Sequence, residues 1–144
     1  MSKSDFTITL LGKKSPESIF QKILDVRSWW SGIFSEKFSG SSEKLNDVFT
    51  FEAGDGAHYT EQKLIELIPN EKIVWLVTQC NLSFIERKDE WVGTKLIFEI
   101  TQNEENTEVK FTHQGLTNEL DCYDNCAPAW TQYIQTKLFP LINE

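Results

Sequence analysis

Three residues near the end of the chain have side chains that could do chemistry: His113, Cys122 and Cys126. His113 shares strand parity with Val109 and Phe111, so it points toward whatever those apolar residues cover. A neutral imidazole inside a cavity could orient a ligand or serve as general acid or base. The plainer reading is a buried histidine held by a backbone or hydroxyl partner, because catalysis needs a second positioned group and none lies nearby in the sequence. Cys122 and Cys126 are four residues apart, which puts both on one face of a helix. With His113 they make three of the four ligands a zinc site needs, and no fourth is apparent. The spacing is not a CxxC redox pair, and a helix seldom brings such thiols to disulfide geometry. Small buried thiols facing a core or cavity are the expected outcome, with no metal and no cofactor.

These residues must be positioned by the elements around them. Val109, Phe111 and His113 end a strand, and Gly115 turns the chain. Tyr123, Cys126, Ala127, Trp130, Ile134, Leu138 and Leu141 then recur at spacings of three and four, one broad apolar face of a long helix. Roughly 25 residues of helix would rise about 37 Å and must lie across a large apolar surface. Pro128 falls inside this helix, where it removes a backbone hydrogen bond. It predicts either a kink near Asp124 or a helix that begins around Cys126.

Upstream, Phe6 to Leu11 alternates as a half-buried strand. Ser15-Pro16-Glu17 supplies an N-cap, a first-turn proline and an acid at the positive end of a helix dipole. Asp25 to Trp30 reads as a second short helix or as a continuation of the first after a break, ending near Gly32. Strands follow at Glu36–Ser42, Asp47–Ala53, His58–Leu67, Lys72–Cys80, Thr94–Thr101 and Glu108–His113, joined by short turns such as Gly54-Asp55-Gly56. Short links between consecutive strands give an antiparallel sheet that helices cover on one face. Ile73 to Val77 is apolar on both parities, so its inward face cannot be read. Asn81 to Trp91 reads as a polar loop in which Phe84 or Ile85 could fold over an opening.

The 144 residues are expected to form one domain, residues 1–144. Fourteen basic against 22 acidic residues leave a net charge of −8, which argues against nucleic acid and anionic membrane surfaces. No apolar run approaches a membrane span and the N-terminus lacks a signal-type core, so a cytoplasmic protein is expected. Three cysteines are too few for a secreted disulfide framework. No phosphate loop, nucleophile elbow or paired-carboxylate signature is present.

The pattern resembles the START-like, or SRPBCC, helix-grip superfamily. Within it the chain is similar to homologues of the activator of the 90-kDa heat-shock chaperone ATPase. The matching residues are Pro16-Glu17, Trp29-Trp30, Phe49-Thr50-Phe51, Pro69 with Ile73-Val74-Trp75, and Gly93-Thr94-Lys95-Leu96. The tail adds Phe111-Thr112-His113-Gln114-Gly115-Leu116, Cys122-Tyr123, Cys126, Trp130 and Tyr133. The resemblance implies an α+β fold in which a curved antiparallel sheet of about seven strands grips the C-terminal helix, with two short helices after the first strand. It also implies a cavity between sheet and helix that takes an apolar, lipid-like or aromatic molecule. Trp30, Trp75, Phe98, Phe111, His113, Cys126, Trp130 and Tyr133 are the expected lining. A cyclase- or hydrolase-type enzyme using His113 is the alternative, and a chaperone-regulating module is a third. The last is discounted, because the activators that gave the branch its name carry a separate chaperone-binding domain for which this length leaves no room.

Overall fold

The computed structural model describes residues 5–117, 120 and 122–143. Seven strands form one antiparallel sheet: β1 (Phe6–Gly12), β2 (Lys37–Gly40), β3 (Val48–Ala53), β4 (His58–Ile68), β5 (Lys72–Leu82), β6 (Lys95–Gln102) and β7 (Thr107–Gln114). Their order across the sheet is β1-β7-β6-β5-β4-β3-β2. Strands β2 to β7 are a simple meander. The first strand is the exception: it pairs with the last, Phe6 opposite His113 and Leu10 opposite Val109. The connection from β1 to β2 therefore crosses the whole sheet, and α1 (Pro16–Leu24) and α2 (Val26–Trp29) occupy it. Ser15 caps α1 by accepting the Ser18 N–H at 3.2 Å, and Ile19, Phe20, Ile23 and Leu24 bury its inner face.

Two register shifts in β4, at Glu61/Gln62 and Leu64/Glu66, interrupt its pairing with β5. Such bulges bend and twist a strand, which lets the sheet curl round a helix. The ambiguous β5 resolves by packing: Ile73, Trp75 and Val77 join the core cluster, whereas Val74 is buried outside it.

The C-terminal helix begins before Cys126, so the late start that Pro128 suggested is not what forms. It starts at Tyr123 and runs as α3 to Tyr133 with Pro128 inside it. A π-helical turn follows at Ile134–Leu138, and α4 (Phe139–Leu141) completes it, so it is shorter than expected. The widened turn is closed by the Phe139 N–H on the Ile134 carbonyl. Pro140, just beyond, has no N–H to continue the regular ladder. Among the described residues no helix is long and apolar enough to cross a membrane.

Candidate functional site

Between α3, the loop after α2 and the loop after β5 lies a pocket of about 410 Å3. Trp30, Phe34, Phe51, His58, Phe84, Trp91, Trp130 and Tyr133 supply its aromatic walls, with Cys126, Asn125 and small residues including Ala57 and Ala129 between them. Among the described residues no Lys, Arg, Asp or Glu lines it. The rings pack in a continuous set. Trp30 stacks on Phe51 at 4.0 Å and on Trp130 at 5.0 Å, and Trp130 stacks on Trp91 at 6.0 Å. Offset and edge-to-face contacts of this kind add to simple burial and hold ring orientations.

His113 sits behind this wall. It is fully buried on β7, and both ring nitrogens are committed. The indole N–H of Trp130 donates to Nδ1 at 3.0 Å. An indole N–H only donates, so Nδ1 carries no proton and the neutral ring is protonated at Nε2. That Nε2–H meets Thr94 Oγ1 at 2.8 Å, and the Thr94 hydroxyl in turn donates to the Trp91 carbonyl at 2.6 Å. One imidazole thus ties two pocket walls, Trp130 and Trp91, to the end of the sheet. Burial, followed by the neighbouring His58, pushes its pKa down to about 3, so it stays neutral. His113 is not placed to act as acid or base on a ligand: it is absent from the lining and has no free nitrogen. The arrangement is that of the plainer reading, a buried histidine held by a hydroxyl partner, and not of the acid–base alternative.

Of the eight expected lining residues, the structure brings Trp30, Cys126, Trp130 and Tyr133 to the pocket. Trp75, Phe98, Phe111 and His113 lie elsewhere, fully buried in the core. The reason is depth. Strand parity separates inner from outer face, but the inner residues of β5, β6 and β7 pack where the grip is filled by side chains: Trp29 against Phe98, and Phe98 and Trp130 against Phe111. Of the tryptophan pair, Trp29 is core, its Nε1–H bound to the Ile23 carbonyl at 2.9 Å, and Trp30 faces the pocket. Phe84 of the loop after β5 stands exposed at the opening, as does Phe34 across from it.

Residues not foreseen include Phe51, His58, Trp91, Asn125 and Ala129. Phe51 and His58 carried a usable signal, since they share parity with Phe49 and with Leu64 on the inner face. Trp91 carried none, because it ends a polar loop without periodicity. His58 packs edge-on to Trp91 at 4.8 Å, and burial pushes its pKa down to about 4. Its Nδ1 is buried without a partner among the described residues.

At the mouth, the Glu36 carboxylate accepts the N–H groups of Gly32 at 2.7 Å, Ile33 at 3.2 Å and Phe34 at 2.8 Å, and the hydroxyl of Tyr133. Burial works to raise the Glu36 pKa, but the hydrogen bonds from Tyr133 and the backbone outweigh it and hold the carboxyl below its ordinary value. Burial, and then the same contact with Glu36, push the Tyr133 hydroxyl well above the usual phenol range.

The cysteines form a small thiol cluster. Cys122 accepts the Trp91 indole N–H at 3.1 Å, and its backbone N–H donates to Glu90 at 3.0 Å. Contact with Cys122, and then burial, push the Cys126 thiol far above its ordinary pKa, so it is a poor nucleophile. Among the described residues no group of three or more His, Cys, Asp or Glu could hold a metal ion.

A curved seven-stranded sheet closed on a C-terminal helix, with an apolar pocket between, defines a helix-grip protein. The chain belongs to the family described as Activator of Hsp90 ATPase homolog 1-like protein, whose model matches residues 14–141. No curated protein sequence matches it significantly. Among solved structures it is similar to the Aha1 dimer from Colwellia psychrerythraea, at 22% identity and a TM-score of 0.75, covering 97% of this chain and 96% of that one. Protein CV1439 from Chromobacterium violaceum gives 15% identity and a TM-score of 0.72 over 98% and 99%. Protein MLL2253 from Mesorhizobium loti gives 14% and 0.69 over 94% and 95%. At these identities the likeness is one of fold.

Proposed function

We propose that the chain binds a small, flat, apolar molecule, aromatic in character, in the pocket between sheet and C-terminal helix. The observation that carries this reading is the lining itself: eight aromatic side chains about a volume of about 410 Å3, and no charged residue among the described ones. That volume lies at the small end of the roughly 300–1,000 Å3 usual for ligand pockets, which suits a ligand of two or three fused rings rather than a long acyl chain. Two exposed phenylalanines, Phe34 and Phe84, at the opening offer an entering ring its first apolar contacts.

The expected strength follows from area. A bicyclic ligand that buries roughly 200 Å2 of apolar surface gains about 5 kcal/mol, which corresponds to a dissociation constant of about 0.2 mM before any polar contact is added. His58 and Asn125 are the polar residues that could add one. Calorimetric titration with 2-naphthol, an uncharged bicycle with one hydroxyl, tests the reading. Saturable one-to-one binding with a negative heat-capacity change supports it. Absence of binding at millimolar ligand, with no rise in melting temperature, overturns it.

A further inference from the structure

The loop that ends at β2 holds a binding site occupied by the chain itself. Gly32, Ile33 and Phe34 present three successive backbone N–H groups to one point, and the Tyr133 hydroxyl completes the set. Convergent N–H groups of this kind are a nest for a carboxylate. Here the carboxylate is Glu36, reaching back over Ser35, whose φ of 56° is the left-handed turn that permits it. The nest is not remote from the pocket. Phe34 and Tyr133 line the pocket and contact each other edge-to-face at 6.1 Å, so the Tyr133 hydroxyl belongs to both sites. The Lys137 ammonium also lies close, 3.0 Å from where a Cβ on Gly32 would stand.

Resting on the pocket reading above, we propose that Glu36 is the specificity determinant of the pocket. Its carboxylate occupies the donors that a ligand carboxylate at the mouth would need, and so restricts the pocket to uncharged ligands. An anionic ligand would meet no cation among the described lining residues, since Lys137 stands beside Gly32 outside the lining, and it would face donors already spent and a like charge beside Tyr133. Burying an unpaired carboxylate there is disfavoured. A neutral ring pays none of these costs.

The test compares 2-naphthol with 2-naphthoate, matched in ring but not in charge, by calorimetry at pH 7 on the wild-type chain, Glu36→Ala and Glu36→Gln. The wild type is expected to bind naphthol and to bind naphthoate at least about ten-fold more weakly, a difference of about 1.4 kcal/mol. Glu36→Ala frees the nest, so naphthoate should gain about ten-fold or more while naphthol changes less than about three-fold. Glu36→Gln keeps the bulk and one acceptor oxygen, so it should not restore naphthoate binding. Adding Tyr133→Phe to Glu36→Ala removes one donor and should cut the gain. Glu36→Ser serves the same purpose if melting shows that the alanine variant does not fold. Equal binding of both probes by the wild type, or no naphthoate gain in the emptied nest, overturns the assignment and leaves the pocket reading standing. Failure of both probes to bind every variant overturns both.

Discussion

Trp130 and His113 meet through one hydrogen bond, indole N–H to imidazole Nδ1 at 3.0 Å, and that bond fixes the proton of the histidine on its other nitrogen. From there the connection runs through Thr94 to the carbonyl of Trp91, so two facing pocket walls share one buried anchor.

Replacing His113 with Phe should therefore act on stability first. It leaves the Trp130 N–H buried without an acceptor and Thr94 without its donor, a cost of about 2–4 kcal/mol. Urea unfolding followed by tryptophan fluorescence measures it. A loss under about 1 kcal/mol would remove the anchor role.

Gly115 guards the same anchor from the other side. Its φ is +102°, and a Cβ there would stand 2.7 Å from Thr94 Cγ2. Gly93 has a φ of +88° with nothing within 4 Å of such a Cβ. Both alanine variants carry the left-handed strain, about 1 kcal/mol, but only Gly115→Ala also displaces Thr94. Its destabilisation should exceed that of Gly93→Ala by a further 1–2 kcal/mol or so in chemical denaturation, and equal losses would mean the contact is relieved freely.

Acid should weaken the fold in a defined window. His113 and His58 have folded pKa values of about 3 and about 4, below the ordinary 6.5, so between these limits the unfolded chain binds more protons. Their stabilisation is complete above about pH 6.5 and is lost as pH falls toward 4 and then 3, at up to about 1.4 kcal/mol per unit for each. His58 keeps partial exposure, so the larger share belongs to His113. Glu36, with its lowered pKa, adds a further loss below its ordinary 4.5. Urea midpoints from pH 8 to pH 4 check this. His58→Phe should flatten the slope by less than half, and a flat profile in the wild type would contradict the burial of both rings.

Ala129 offers a way to close the pocket without disturbing its anchor. It lines the cavity from α3 and is only partly buried. Ala129→Phe should fill the space, abolish 2-naphthol binding and leave the melting temperature within a few degrees of wild type, since surface-facing helix changes cost about 0.5 kcal/mol or less. Undiminished binding would place the ligand elsewhere.

The sequence by itself determined the element order. Alternation in β1 and β3, the Ser15-Pro16 cap, and the apolar spacing from Tyr123 to Leu141 are local patterns, each set by a backbone period and readable one segment at a time. It also determined that His113, Trp130 and Tyr133 face inward. Only the tertiary structure decided which inward residues meet space and which meet one another. Phe98 and Phe111 share the parity of pocket residues yet pack against Trp29 and Trp130, because the helix seats on that part of the sheet. Trp91 left a polar loop to become a wall because the Val77 N–H donates to the Thr94 carbonyl and the Val77 carbonyl accepts the Gly93 N–H, bonds that lay the end of the loop on β5. Glu36 looks like an ordinary strand-edge acid until the turn at Ser35 returns it to three backbone amides and to a tyrosine 97 residues away. Periodicity is a property of neighbours along the chain. The depth of the pocket, the anchor at His113 and the closing of the Glu36 nest by Tyr133 come from residues far apart in sequence, which only the folded sheet and helix bring together.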